Sequence, residues 1–361
     1  MHMELISIFD RPVAQLPALT TLFHELTEPY QVLKQKDRPT AERLQAFERI
    51  CESEVGNTPL LRARNLEREL GIRQLWLKFE GSNPTGTQKD RIAFALTADA
   101  LRLQYQGITL ATCGNYGVAC ALAAKVAGVS AKIFIPEDYH TKRVGEMENL
   151  GATVLRVPGD YETVVGRSQQ FALAHSGIWY DANPGGAHAA LQVEAYSQIA
   201  DEIHRALPVP ADVVASPVSN GTVLLGIGRG YERLRVAGQV HQVPRLAGGS
   251  AFGKNPIVAS FLRGKTQYED LPPERIHETA TNEPLINWHS FDGPETLDAI
   301  RTANGWATNV SDKTMQRLSR LLRDLEGLHV LPAATAGLAA LLDRKSELRL
   351  GVHVVVLTSR K

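Results

Sequence analysis

Cysteine is nearly absent from this chain. Three thiols, Cys51, Cys113 and Cys120, are spread over 361 residues, an odd number with no Cys-x-x-Cys spacing, so neither a disulfide framework nor a thiolate metal site is expected. Excess charge of either sign is missing as well. The 39 basic side chains balance 39 acidic ones, which leaves no global field to hold nucleic acid or an anionic membrane. Long apolar runs are also wanting: no window approaches the length of a membrane span. Residues 1–12 carry Glu4 and Asp10 and have no apolar core, so no signal peptide is expected. These absences point to a cytoplasmic, soluble protein kept in reducing surroundings. What is plentiful is small and apolar: 43% hydrophobic residues against 6% aromatic, in a chain long enough for two substantial cores.

The pattern along the chain is strand, tight turn, helix, repeated. Residues 74–80 alternate, turn residues follow (Gly81, Asn83-Pro84, Gly86), and residues 90–106 read as an amphipathic helix. Lys89 stands where that turn becomes a helix. The positive end of a helix dipole disfavours an ammonium there, and desolvation acts in the same direction. An amine held uncharged in this way can serve as a Schiff-base nucleophile. A strand at 107–112, Gly114 to Gly117 and a helix over 118–127 come next, then strand 131–136, helix 142–150, strand 153–157, helix 161–175 and strand 178–181. Asn183-Pro184-Gly185-Gly186 with His188 forms a polar turn before a helix at 189–205. Strand 212–218 feeds Ser219-Asn220-Gly221-Thr222 and a helix from Val223, an arrangement of hydroxyls and unpaired amides suited to an anion. The series Gly226-x-Gly228-x-Gly230 lies inside that helix pattern without the spacing of a dinucleotide fingerprint, which disfavours a nicotinamide dehydrogenase. A strand-turn signal covers 246–253, and Ser311 is placed to cap a helix running to Gly327. Residues 352–359 hold three consecutive valines, the mark of a strand buried on both faces, with Thr358 at its carboxyl end, where open α/β sheets bind ligands. Alternation of this kind predicts parallel sheets with helices on both faces. Ahead of it, Pro39 precedes a helix start at Thr40. The first 50 residues contain no cysteine pair for a zinc ribbon.

Asn83-Pro84-Thr85-Gly86-Thr87-Gln88-Lys89-Asp90-Arg91 resembles the lysine motif of pyridoxal-phosphate (PLP) enzymes of fold type II, a superfamily that includes threonine synthase, serine/threonine dehydratases and cysteine synthase. Its usual form is Asn-Pro-Thr-Gly-Ser-Phe-Lys-Asp-Arg; Thr87-Gln88 departs from it. The resemblance runs from Gly56-Asn57-Thr58-Pro59-Leu60 to the C-terminus. Residues 279–288, Val310-Ser311-Asp312 and 330–338 are similar to the threonine-synthase branch, although Leu331 stands where a glutamate is customary. Cys113 and Tyr116 are further departures.

The resemblance implies an α/β fold of two doubly wound domains with parallel sheets and PLP in the cleft between them. Residues 1–50 would be an N-terminal extension, 51–91 and 191–361 the large PLP-binding domain, and 92–190 a small mobile domain. Lys89 would be the catalytic residue and the point of covalent attachment. Asn115, Ser219, Asn220, Gly221, Thr222 and Thr358 would contact the cofactor, with Asn115 at the ring hydroxyl, Ser219 to Thr222 at the phosphate and Thr358 at the pyridine nitrogen. Thr87, Thr112, Gly114, Asn115, Tyr116, Gly117 and His188 would face the amino-acid substrate, and no metal is implied. A neutral hydroxyl at the pyridine nitrogen moderates delocalisation into the ring, which suits loss of a leaving group over transamination. The implied activity is elimination or replacement on an activated, O-phosphorylated amino acid. Alternatives are a β-replacement enzyme resembling cysteate or diaminopropionate synthases, a serine/threonine dehydratase, and a PLP-carrying regulatory protein without turnover. A homodimer is implied by the resemblance alone.

Overall fold

The computed structural model describes residues 27–112, 114–139, 143–348 and 351–361. Cys113, His140, Lys142 and the first 26 residues of the N-terminal extension lie outside the described residues.

The architecture is mixed α/β with two sheets. The larger contains β1 (Leu60–Arg62), β2 (Leu75–Phe79), β7 (Val213–Pro217), β8 (Arg245–Ala251), β9 (Trp306–Val310) and β10 (His353–Leu357) in the order β1-β2-β10-β7-β8-β9. Only β1 runs antiparallel to its neighbour. The smaller contains β3 (Gly107–Ala111), β4 (Ser130–Pro136), β5 (Thr153–Val157) and β6 (Trp179–Asp181), all parallel, in the order β5-β4-β3-β6.

β10 shows why its sequence carries no polar alternation. All five residues are buried. Val354 and Val356 enter one apolar core, whereas Val355 and Leu357 enter the other, on the opposite face. Both faces of the strand are covered, so from Val354 to Leu357 both sets of side chains are apolar.

Several helices approach backbone to backbone, and glycines permit it. A Cβ at Gly249 in β8 would lie 1.9 Å from the Ala336 carbonyl oxygen, and one at Gly337 would lie 2.7 Å from Ser216 Cα in β7. The helix Ala336–Asp343 thus rests directly on the sheet, and what reads in the sequence as a strand breaking at glycine is a strand that accepts a helix. The series in the helix Thr222–Val236 has a similar purpose. A Cβ at Gly226 would come within 2.6 Å of Tyr196 Cβ, and one at Gly230 within 2.4 Å of the Ser197 carbonyl, both on the helix Ala189–Ala206.

The helix Thr40–Glu54 follows Pro39 as expected, and its fully buried Phe47 stacks on Phe94 at 5.6 Å. Burying such a ring contributes roughly 2–3 kcal/mol, so this part of the extension belongs to the core. Other boundaries moved for local reasons. The helix expected over 90–106 is Lys89–Arg102, because Gln104 turns to φ 62° and the Tyr105 amide closes on the Ala100 carbonyl. β1 and β9 and the helices Arg64–Leu70, Pro256–Leu262 and Gly293–Thr302 were not legible in the sequence. β9 is an edge strand whose Thr308 and Asn309 are half-exposed, so its apolar signal is thin.

Candidate active site

The loop before Lys89 is sewn to the segment after β10. The Gln88 amide donates to the Thr358 carbonyl (2.9 Å), Arg360 N–H donates to the Gly86 carbonyl (2.9 Å), and Thr87 pairs with Ser359 in an isolated bridge. Gly86 sits at φ 86°, and a Cβ at Gly81 would meet the Arg360 amide nitrogen at 2.7 Å, so both turn glycines are required by that contact. Parallel pairing of β2 with β10, with Phe79 opposite Leu357, carries Lys89 and Thr358 to the same edge of the sheet. Thr87 Oγ1 accepts from the Lys89 amide (3.1 Å) and is buried, which gives it a turn-closing contact.

The two residues after the lysine anchor its helix. Asp90 accepts from the Thr85 amide (2.9 Å) and hydroxyl (2.8 Å), and burial pushes its carboxyl up to about 6 against those hydrogen bonds. Arg91 turns into the protein, where its guanidinium meets Glu80 at 2.7 Å and Glu202 at 2.7 Å. Lys78 joins Glu202 at 2.5 Å and the Thr58 carbonyl at 2.6 Å. Two cations and two carboxylates therefore neutralise one another out of water. Burial drives the Glu202 carboxyl up, but the hydrogen bonds and charges of Arg91 and then Lys78 outweigh it and hold it at about 2. Sequence reading missed Lys78, Glu80 and Glu202. The first two were visible as charges interrupting an apolar strand, whereas Glu202 gave no signal, 111 residues from Arg91.

The Lys89 amine faces the helix Asn115–Ala127. Burial lowers its pKa, opposed by Cys120 and Asp292, and its Nζ lies 5.5 Å from the centre of the Tyr116 ring. Tyr116 is itself buried and donates to the Ala182 carbonyl (2.7 Å). A Cβ at Gly114 would meet nothing within 4 Å, so the loop opens into free space just where the helix begins. Asn115 Oδ1 accepts a hydrogen bond from the Arg143 guanidinium. Thr112 Oγ1 accepts from the Gly114 amide (3.2 Å). Gly117 is a packing glycine, since a Cβ there would come within 2.6 Å of Thr112 Cγ2 and Met147 Cε.

The cradle after β7 has the form expected. Gly221 takes φ 92° at the N-cap of Thr222–Val236, and a Cβ on it would strike Thr296 Oγ1 at 2.2 Å. Among the described residues no hydrogen bond engages the amides of residues 219–224. Asn287 Nδ2 donates to Asn220 Oδ1 (3.3 Å) and Asn255 Nδ2 to the Ser219 carbonyl (2.9 Å), which fixes the loop. Thr222 Oγ1 donates to Asp292 Oδ2 (2.5 Å), and burial raises the Asp292 carboxyl. Asp292 was not foreseen, because it lies 70 residues from Thr222. Thr296 Oγ1 is buried without a partner beside the cradle. Thr358 is 9% exposed, and its hydroxyl enters no hydrogen bond among the described residues.

His188 packs on the side of the lysine helix. Its ring stacks on Tyr180 at 4.0 Å, and Nδ1 lies 3.8 Å from Asp99 Oδ2. Asp99 is ten residues beyond Lys89 on one helix, about 15 Å along its axis. This histidine packs against the far part of the lysine helix.

An enclosed amine, a cradle of free amides and a strand-end hydroxyl fit the aldehyde, phosphate and ring nitrogen of PLP. The profile of the pyridoxal-phosphate dependent enzyme family matches residues 52–359. The chain belongs to that family. Threonine synthase from Methanocaldococcus jannaschii is 31% identical over 298 residues, 81% of this chain and 70% of that protein. Threonine synthase from Mycobacterium bovis is 27% identical over 80% of this chain and 75% of its own length. Among solved structures, the threonine deaminase of T.th. superposes with a TM-score of 0.70 at 23% identity, covering 90% of this chain and 98% of that one. Serine racemase from Dictyostelium discoideum does so at 0.67 and 18%, covering 88% and 96%. This PLP-dependent enzyme is accordingly a lyase of fold type II. Among the described residues no helix is long and apolar enough to cross a membrane.

Proposed function

We propose that this PLP enzyme removes phosphate from the side chain of an O-phosphorylated amino acid and then adds water or another nucleophile, as a threonine-synthase-like enzyme does. The observation that carries this reading is Arg143, whose guanidinium donates to the side chain of Asn115 at the start of the candidate carboxylate loop and pairs on its other edge with the exposed Glu146, which an incoming phosphate would displace. An amino acid with a plain hydroxyl side chain needs no further cation there, whereas a phosphate monoester is matched by a guanidinium fork. The similarity to threonine synthases supports the same reading.

In this proposal Ser219 to Thr222 hold the cofactor phosphate on their amides and hydroxyls, and Thr358 presents its hydroxyl to the ring nitrogen. The bound cofactor supplies an electron sink for charge developing at the substrate α-carbon. Gly114 and Asn115 orient the α-carboxylate at the helix start. The Lys89 amine, whose charged form burial disfavours, takes the proton from the α-carbon. Arg143 holds the departing phosphate. Residues 92–190, which contain the second sheet, would act as a small unit that closes and excludes water. A cytoplasmic homodimer is the proposed setting, and light scattering of the purified protein tests the dimer.

A turnover screen with O-phosphohomoserine, O-phosphoserine, serine and threonine, each with and without sulfite or ammonia, tests the reading. Phosphate release from O-phosphohomoserine with threonine as product supports it, and turnover of serine and threonine alone overturns it. The second reading, β-replacement on a three-carbon donor, is favoured by Tyr116, whose buried ring narrows the space above Lys89. Phosphate release from O-phosphoserine alone would select it. A cofactor spectrum unchanged by every amino acid would select the regulatory protein without turnover.

A further inference from the structure

A cavity of about 290 Å³ lies beside the segment that positions Lys89. Gln316, Arg320 and Arg323 line it from one face of the helix Asp312–Glu326, at the i, i+4, i+7 spacing of neighbours on a helix surface. Ser319, His329 and Lys361 complete its polar wall, and no Asp or Glu side chain is among the lining residues. Asp324, outside the lining, accepts from Arg323 Nε at 2.8 Å, which leaves the terminal nitrogens of that guanidinium uncommitted. Arg320, the His329 imidazole and the Lys361 ammonium form no hydrogen bond or ion pair among the described residues. Arg320, Arg323 and Lys361 bring three cations to one concavity against the single exposed carboxylate of Asp324 at its edge, an excess of positive charge that favours an anion. Guanidinium forks with a lysine match a phosphate group in particular. The volume is at the small end of the range for ligand sites, roughly 300–1,000 Å³, so the ligand is small.

The cavity wall is also a wall of the lysine loop. The Lys361 amide donates to the His329 carbonyl (2.9 Å), and Val330 pairs with Arg360 in an antiparallel bridge. On its other side the same short segment holds Gly86, Thr87 and Gln88 through Arg360, Ser359 and Thr358. Residues 358–361 are thus a strip laced to the cavity on one edge and to the loop of Lys89 on the other.

We propose that this cavity is a second anion site, for inorganic phosphate or a small phosphate monoester, and that its occupancy is coupled to the Lys89 site through residues 358–361. An anion drawing Lys361 and Arg320 together stiffens the strip, and by linkage the active-site ligand and the anion alter each other's affinity by the same factor. The site is separate from the substrate position assigned above and does not depend on the identity of the amino acid.

Calorimetric titration of the PLP-loaded enzyme at low ionic strength tests this, with inorganic phosphate in one arm and glycerol 3-phosphate, a monoester that is no amino acid, in the other. Saturable binding of at least one arm is expected, weakened about tenfold or more in the double variant Arg320→Ala, Arg323→Ala and unchanged in Arg143→Ala. The arm that binds more tightly identifies the source of the phosphate. Lys361→Gln is a second, milder variant, expected to weaken binding with the melting temperature unchanged. The visible absorbance band of the cofactor should shift on adding the anion to the wild type and not to the double variant. Absence of saturable binding, equal binding by the wild type and the double variant, or loss of binding in Arg143→Ala would overturn the site. Binding without any spectral response would overturn the coupling.

Discussion

In the proposed mechanism Lys89 would combine two roles that an ordinary surface lysine cannot. Burial disfavours its ammonium, which favours the amine form that the proposed mechanism would use to bond an aldehyde and to accept a proton. Replacing it by alanine should lower turnover by at least about a thousandfold, in the upper range of what loss of a positioned base costs. Borohydride reduction of the wild type should leave the pyridoxyl mass on the peptide containing Lys89; its appearance on any other peptide refutes the assignment. Asp292 presents the opposite problem. Its carboxyl shares Thr222 with the cradle proposed for a cofactor phosphate, and burial already favours its protonated form. A phosphate dianion beside it adds like charge, so Asp292→Asn, which keeps an oxygen for the Thr222 hydroxyl, should tighten cofactor binding about tenfold at pH 8. Equilibrium dialysis of the apoenzyme would show this, and weaker binding would mean that the carboxylate helps to hold the loop. Local chemistry was enough to propose Lys89, Asn115 and Thr358 as site residues. The contacts of His188 with Tyr180 and Asp99 come from packing that the sequence around it did not announce.

The lysine helix is held at its start by charge and along its length by apolar contact. Arg91, Glu80, Glu202 and Lys78 form a neutral set with hydrogen bonds to Thr58, and such sets are costly to break because the remaining charge stays buried. Glu202→Gln should cost about 3–5 kcal/mol in urea unfolding. The same carboxyl gives a pH dependence of known sign. Its folded-state pKa, about 2, lies below the ordinary value of 4.5. Its contribution is therefore complete above the ordinary value and is lost as pH falls toward 2. The urea midpoint of the wild type should drop across that interval, and the slope should be shallower in Glu202→Gln; parallel curves would show that other carboxylates control acid unfolding. Arg91 stood in the motif without a stated purpose, and its purpose appears only when the helix Ala189–Ala206 delivers Glu202. The glycines of the helix Thr222–Val236 likewise gained their meaning from the helix against which they pack.

Across the whole molecule, the second sheet is joined to the rest by contacts that include several from residues 283–292. Trp288 Nε1 donates to Asp160 Oδ2 (2.9 Å) at the N-cap of the helix Tyr161–Ala174, and Phe291 packs against the cluster around Phe134. Glu283 is linked by a hydrogen bond to Tyr139, next to β4, and burial lifts its carboxyl to about 7 with Glu278 adding to the rise. A raised carboxyl stabilises the joined form below its ordinary pKa of 4.5, and that contribution is lost as pH rises through about 7. Between pH 6 and pH 8 the junction should weaken by on the order of 1 kcal/mol. Amide hydrogen exchange near Tyr139 and Glu283 should accelerate over that range in the wild type and not in Glu283→Gln; equal acceleration in both excludes the carboxyl as the cause. The order of residues was enough to specify the strands with valine on both faces, the glycine turns that precede helices, and the lysine at a helix start, because each depends on backbone geometry and burial within a dozen residues. Long-range packing had to supply which charges neutralise Arg91, where His188 comes to rest, that Asp292 enters the cradle, and that Arg320 and Arg323 share a cavity with Lys361. Those outcomes join residues tens to more than a hundred positions apart, and a chain records such a meeting only once its sheets have fixed the register.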